Sequence, residues 1–177
     1  MHLTPLFGAA LFLAAPLASQ TQPNADPQIR QGKLTWFLLT ENMLAVMGAL
    51  GQPKVIADFG SDYQSWQYQI GDIDGHDFSH VLVFRKSSKT LVSVARNYEP
   101  ERAVDALLPA AETTVHHYPD AAGRQYSIRV RQLAGGRVLM AMGTSKPGQR
   151  TGQLVLIRES ELRFFYPWLL DQRNRAL

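Results

Sequence analysis

The stretch that decides the fold is Thr40-Glu41-Asn42-Met43-Leu44-Ala45-Val46-Met47-Gly48-Ala49-Leu50-Gly51-Gln52-Pro53. Thr40 or Asn42 can accept a hydrogen bond from a free N–H group at a helix start, and Glu41 lies near the positive end of the dipole. Gly51 can adopt the positive φ that closes a last turn, and Pro53 prevents continuation. The stretch therefore predicts a helix. Its core-facing stripe is predicted to contain Met43, Leu44, Met47 and Leu50.

Three runs of alternating polar and apolar residues follow this helix, at residues 63–71, 78–84 and 91–96. In the first run, Trp66 and Tyr68 alternate with Gln67 and Gln69, which is typical of a strand with one buried face. Residues 85–89 supply a polar turn between the second and third runs. The pattern predicts a three-stranded antiparallel meander whose aromatic face lies under the helix. Residues 34–39, just before the helix, fit either a short strand or the entry to the helix.

These motifs resemble those of the BamE (SmpA/OmlA) family and of proteins with a β-lactamase-inhibitor-protein-like fold. The resemblance covers about 55 residues and rests on Leu50-Gly51-Gln52-Pro53 followed by Trp66-Gln67-Tyr68, with Leu82-Val83-Phe84 and Leu91-Val92-Ser93-Val94 as further strands. It implies a helix packed on a small sheet, and a role in outer-membrane protein assembly. The sequence departs from the family in lacking the Cys that would carry a lipid, in having Ala45 where a glutamate is usual, and in a longer loop at residues 72–77.

The second half has features of a repeat of the first. Sliding residues 45–70 by 58 positions onto 103–128 gives seven identities in 26 positions, including Tyr68 with Tyr126, where composition alone predicts about two. Pro100 and Pro109 would bound a second helix, and strands are predicted at residues 126–133 and 137–143, joined through a turn at 134–136. A final hairpin is predicted from residues 153–158 and 162–166, with a helical turn at 167–172.

The resulting fold class is α+β, with two tandem helix-plus-antiparallel-meander units whose sheets join and whose helices lie on one face. The units are predicted to span residues 34–97 and 98–177. Residues 1–19 contain an uncharged apolar run, 6–17, followed by small residues, which favours a signal peptide over a buried N-terminal helix. The run is shorter than the roughly 20 residues needed to span a bilayer. Residues 20–33, with two prolines among Gln, Asn and Asp, are typical of an extended linker. We therefore expect a periplasmic or secreted protein without stable membrane insertion after signal cleavage.

Composition narrows the classes of function. The 177 residues contain no cysteine, so disulfides, thiolate nucleophiles and Cys-ligated zinc are excluded. The net charge of +3 is uneven, because residues 102–177 carry 11 Lys/Arg against 6 Asp/Glu. These cations form no basic run and no aromatic platform accompanies them, so we interpret them as a solvated face and expect no nucleic-acid partner.

The densest polar cluster is the loop at residues 72–80. It fails as an EF-hand, because the twelfth position from Asp72 is Val83 instead of glutamate. His76 and His80 would fall about 13 Å apart along a strand, which argues against one metal. A weaker alternative is a small-ligand or metal-binding site, or an enzyme site. Its residues would be Asp72, Asp74, His76 and His116.

The sequence contains no complete catalytic set, no nucleophile elbow and no phosphate-binding glycine loop. We therefore expect no cofactor and no resident metal. The favoured hypothesis is an exported, non-enzymatic module that binds a protein partner of the envelope or extracellular space through an open sheet face. The predicted contacts lie opposite Trp66, Tyr68 and Tyr126. They are Gln67, Gln69, Arg129 and Arg131.

Overall fold

The computed structural model describes residues 34, 37–73, 76–119, 125–144 and 150–170. The apolar stretch forms helix α1 (Met43–Leu50), as its sequence predicts. The Asn42 side chain accepts a hydrogen bond from the Ala45 N–H at 2.9 Å, and Gly51 closes the helix at φ 79° while its N–H donates to the Met47 carbonyl. The predicted signal peptide and linker lie outside the described residues.

The buried stripe of α1 contains Val46 in place of the predicted Leu44. Leu44 is 78% exposed, whereas Val46 is 3% and Leu50 is 2% exposed, with Met43 and Met47 partly buried against the same core. Residues 43, 46, 47 and 50 follow the i, i+3, i+4, i+7 spacing of one helix face, and Leu44 falls beside that face. The predicted stripe was therefore wrong at Leu44.

All strands belong to one antiparallel sheet of eight strands, in the order β1-β2-β3-β4-β8-β7-β6-β5. The strands are β1 (Val55–Phe59), β2 (Tyr63–Ile73), β3 (His76–Arg85), β4 (Thr90–Ala103), β5 (Thr114–Pro119), β6 (Gln125–Leu133), β7 (Arg137–Thr144) and β8 (Arg150–Arg158). The first four strands and the last four each form a meander, and β4 pairs with β8 at the centre. The architecture is mostly antiparallel sheet with a few short helices, which agrees with the broad α+β class.

The predicted meander at residues 63–96 corresponds to β2, β3 and β4, and the predicted strands of the second half correspond to β6 and β7. Strand β1 was missed. The predicted helix between Pro100 and Pro109 shrinks to the single turn α2 (Val104–Leu107), because β4 continues through Pro100 to Ala103. A 3-10 turn at Ala110–Glu112 then leads into β5.

The predicted final hairpin is wrong at its second arm. Residues Glu159–Glu161 form a 3-10 turn and α3 (Leu162–Phe165) follows, with residues 167–170 in a further helical turn. The reason is topological: β8 is hydrogen-bonded to β4 on one side and to β7 on the other, so it has no free edge for another strand. The chain instead crosses the sheet as a segment, residues 159–170, that we call the C-terminal strap.

The sheet carries a core on each face. On the helix face, α1, α2 and residues 37–39 cover one row of apolar side chains, whose buried members include Trp66, Leu82, Val94, Leu156 and Leu139. On the strap face, the C-terminal strap covers a second cluster, whose buried members include Ile128, Val130, Met140, Val155 and Ile157. No helix in the described part of the chain is long and apolar enough to cross a membrane.

The register of the strands does not support the ungapped repeat. Because 58 is an even number, the shift aligns even-numbered residues of β2 with even-numbered residues of β6. In β2, the even-numbered Trp66 and Tyr68 belong to the helix-face core. In β6, the even-numbered Ile128 and Val130 belong to the strap-face core. A one-residue slip moves every side chain of a strand to the other face. The identities that fall in β2 and β6 are therefore not structurally equivalent pairs, although the order of elements recurs and Val46, Leu50, Val104 and Leu108 all lie in the helix-face core.

Candidate functional site

The four predicted partner-binding residues do not share one face. Paired residues of neighbouring strands lie on the same side of a sheet. One continuous row of paired residues crosses six strands from β2 to β6 in the order Tyr68, His80, Arg96, Leu154, Ala141 and Arg129. Arg129, and Arg131 two residues on, therefore lie on the helix face with Tyr68. Gln67 and Gln69 lie on the strap face. Tyr68 is 2% exposed, as predicted, whereas the side chain of Tyr126 is outside the described part.

Arg129 holds the chain after β4 to the sheet. Its guanidinium makes a salt bridge with Asp105 of α2 and donates to the Leu108 carbonyl at 3.1 Å. Both Val104 and Leu108 are buried beside it. Arg129 is thus engaged within the fold, on the face opposite to the glutamines.

Gln69 begins a row of uncharged polar side chains on the strap face. Register pairs Gln69 with Ser79, Ser79 with Asn97, and Asn97 with Gln153, across β2, β3, β4 and β8. We call these four residues the amide row. The Gln153 amide donates to Asn97 Oδ1 at 2.8 Å, and the Asn97 amide is 3.4 Å from Ser79 Oγ. Gln67 lies on the same face, two residues along β2 from Gln69.

The amide row borders a narrow hollow beside the C-terminal strap. The hollow is lined by Ile128, Met140, Gln153, Val155 and Tyr166, and its cavity volume is about 20 Å³. Small-molecule sites range from roughly 300 to 1,000 Å³ and bury most of their ligand. The hollow is below that range. It is better suited to hold one side chain of a partner than a whole ligand.

The structure separates His116 from Asp72 and His76 of the predicted ligand-binding loop. Asp72 lies in β2 and His76 in β3, with side chains outside the described part, as is all of Asp74. His116 lies in β5, where its Nε2 is 3.2 Å from the Thr114 hydroxyl. Five strand-to-strand steps separate β3 from β5, or roughly 24 Å along the sheet. Among the described residues, no group of three His, Asp or Glu side chains is close enough to hold a metal ion.

His80, at the end of the same loop, points into the helix-face core. It is 0% exposed, and its Nε2 accepts a hydrogen bond from Arg96 Nε at 2.8 Å. The Phe37 ring stands edge-on to it, with centroids 6.0 Å apart. Burial, and then the charge of Arg96, hold the pKa of His80 well below 6.5. His80 is therefore a neutral acceptor within the core. The alternation of residues 78–84 already predicts this inward placement.

A second buried polar group fastens the C-terminal strap. Glu161 is 3% exposed; its Oε2 accepts from the Tyr63 hydroxyl at 2.7 Å and its Oε1 from Arg85 Nη2 at 2.6 Å. Phe165 adds ring contacts to Phe59 and Tyr63. Burial and the Glu161 hydrogen bond raise the pKa of Tyr63 to about 12. Sequence reasoning missed this group, because its members are 22 to 98 positions apart.

Two arginines hold the chain before α1. Arg137 Nη1 donates to the Phe37 carbonyl at 2.9 Å, and Arg158 Nε donates to the Leu39 carbonyl at 2.8 Å. Phe37 and Leu39 are themselves buried on the helix face. Several arginines of the basic second half are thus bonded to backbone or carboxylate within the fold.

Comparison with known proteins assigns no family. No family model matches the sequence, and no curated protein matches it. A solved structure with some likeness is an extracellular protein containing an SCP domain from Bacillus anthracis, at 12% identity and a TM-score of 0.43. The match covers 84% of this chain and 52% of that one, so this chain spans about half the length of that protein. A likeness of this degree assigns no function.

Proposed function

We propose that this protein is an exported, non-enzymatic module that binds a protein partner through the amide row and the neighbouring hollow. The observation that carries the proposal is the continuous line of Gln69, Ser79, Asn97 and Gln153 on the strap face. Amide and hydroxyl groups both donate and accept, so such a row can match the peptide groups and polar side chains of another protein. Arg129 and Arg131 drop out of the predicted contact set, and Gln67 and Gln69 remain.

The surroundings of the row favour a protein over a small molecule. The hollow is small, and Tyr166 gives it one aromatic wall. Protein interfaces combine a few apolar or aromatic anchor points with a polar rim. The row and the hollow together have this composition. The partner belongs to the envelope or the extracellular space, as the apolar leader at residues 6–17 indicates.

A pair of matched substitutions tests the proposal. Gln153→Arg places a long cation in the row, whereas Gln132→Arg makes the same change at another exposed position of the same face, in β6. Each variant and the parent protein are used to capture partners from envelope extract, and the recovered protein is then titrated. We expect Gln153→Arg to weaken binding at least tenfold, because it leaves paired amides unsatisfied.

Gln132→Arg should bind as the parent does, and circular dichroism should show both variants folded. Equal binding by both variants would remove the amide row from the interface. Failure of the parent protein to capture any partner would count against the binding module itself. Export is tested separately by the mass of the protein from its native host, which should lack residues 1–19.

We further propose that the two meanders are tandem units of a BamE-like or β-lactamase-inhibitor-protein-like fold. In support, each meander of four strands is preceded by a helix, α1 or α2, and both helices contribute to the helix-face core. The ungapped shift of 58 reverses the faces of β2 and β6, and already those of β1 and β5, since Ile56 pairs with Trp66 on the helix face and Thr114 with Val130 on the strap face. The repeat therefore needs a gap between its helix and its first strand. An experimental structure in which α1–β4 superposes on α2–β8 by a rotation near 180° would support it. Superposition with the faces reversed would refute it.

A further inference from the structure

Strand β1 is an open edge of the sheet. In the described part of the chain it pairs with β2 alone, and all five of its residues are exposed. Val55 is 48%, Ile56 is 54% and Phe59 is 46% exposed. The opposite edge, β5, ends in Pro119, a residue that blocks further pairing. An apolar edge with unpaired N–H and C=O groups is a template for another strand.

The charges around β1 are arranged to match a second copy of the same strand. Lys54 immediately precedes the strand and Asp58 is four residues on, so both lie on the same side as Ile56. In an antiparallel pair of two β1 strands centred on Ile56, Lys54 of each copy faces Asp58 of the other. Val55 faces Ala57, and Pro53 faces Phe59. This register gives two opposite-charge pairs and no like-charge pair.

We propose that β1 is a self-association edge, which joins two copies of this chain antiparallel about a two-fold axis at Ile56. The resulting contact is isologous, since each residue meets its partner twice. Moving the two-fold axis to Ala57 shifts each pairing by two residues, places Asp58 opposite Ile56 and loses both charge pairs. Asp58 also has Lys86 beside it at 2.8 Å within its own chain, so the carboxylate lies between two cations. The amide row takes no part in this contact.

The absence of cysteine from the chain allows a direct test of the register. Residues directly opposite in an antiparallel pair have Cα atoms about 4.5 to 5.5 Å apart, within the range that a disulfide can bridge. We expect Ile56→Cys to form a disulfide-linked dimer under mild oxidation, in near-complete yield. Leu44→Cys, at a position 78% exposed on α1, is the control and should remain mostly monomeric. Equal cross-linking of the two variants would overturn the proposal.

Charge exchange tests the same contact without a covalent bond. Lys54→Glu sets a second carboxylate against Asp58 twice, and Asp58→Lys sets two ammonium groups together twice, so each variant alone should dimerise at least tenfold more weakly than the parent. When the two variants are mixed, both cross-pairs become attractive, and a heterodimer should form. Sedimentation over a range of concentrations measures all three samples. A parent protein that stays monomeric at every concentration, or a mixture that fails to associate while the parent dimerises, would refute the edge contact.

Discussion

The attachment of the C-terminal strap yields the sharpest prediction about stability. Glu161 accepts hydrogen bonds from Tyr63 and Arg85, with its side chain only 4% exposed. Hydrogen bonds to charged groups contribute roughly 1.5 to 3 kcal/mol. The Arg85 side chain is 34% exposed, so water screens its part of the interaction and favours the lower half of that range. We therefore expect Glu161→Gln to lower the free energy of unfolding by about 2 kcal/mol.

Urea denaturation followed by tryptophan fluorescence measures this loss, because Trp66 lies in the helix-face core and Trp168 in the C-terminal strap. The matched control is Glu159→Gln, an exposed glutamate of the same 3-10 turn, which should change stability by less than about 0.5 kcal/mol. Tyr63→Phe alone should cost about 1 kcal/mol, and much less when Glu161 is already Gln. Equal effects of the two glutamate substitutions, or full additivity with Tyr63→Phe, would refute the reasoning.

Three further outcomes are expected. Asn42→Ala removes the side-chain cap of α1 and should lower the free energy of unfolding by about 1 kcal/mol. Thermal or urea unfolding measures this loss, and an unchanged midpoint would show that the Asn42 side chain does not stabilise the start of α1. The pKa of His80 lies below 6.5 in the folded state, so protonation of His80 favours the unfolded chain. The free energy of unfolding should therefore fall below pH 6.5, by up to about 1.4 kcal/mol per pH unit, and His80→Gln should lose that part of the pH dependence. Burial raises the pKa of Tyr68 to about 12, so the stability linked to its neutral form is full below pH 10 and is lost between pH 10 and 12. Absorbance near 295 nm, compared between the parent and Tyr68→Phe, should assign a late ionisation to Tyr68, and its ionisation at pH 10 would contradict its burial.

Local patterns predicted several elements of the fold well. Helix α1 follows from Asn42, Gly51 and Pro53, and strand β2 from the alternation around Trp66 and Tyr68. Such features depend on backbone geometry and periodicity within a dozen residues, and the sequence carries them directly. The buried side of β2 was predicted for the same reason. Strand β1 was missed because it is a short edge strand with every residue exposed, so no buried side imposes a pattern on it.

The candidate site depended on information that no local pattern contains. Gln67 and Gln69 could be assigned to the side of β2 away from Trp66, but their pairing with Ser79, Asn97 and Gln153 depends on which strands become neighbours. The sequence prediction placed Arg129 on the wrong face of the sheet. The face on which Arg129 lies relative to Trp66 depends on the pairing register of every strand between β2 and β6. A single-residue change in that register would reverse it.

The sequence by itself determined α1 with its two ends, the inward side of β2, and the absence of cysteine chemistry. The tertiary structure alone decided that β8 lies in the middle of the sheet, that residues 162–170 cross a face instead of adding a strand, and that Glu161 meets Tyr63 and Arg85. The physical reason is the separation along the chain of the residues that interact. Caps, periodicity and turns are fixed by neighbours along the chain, whereas strand order and buried polar partners are fixed by which distant segments exclude water together.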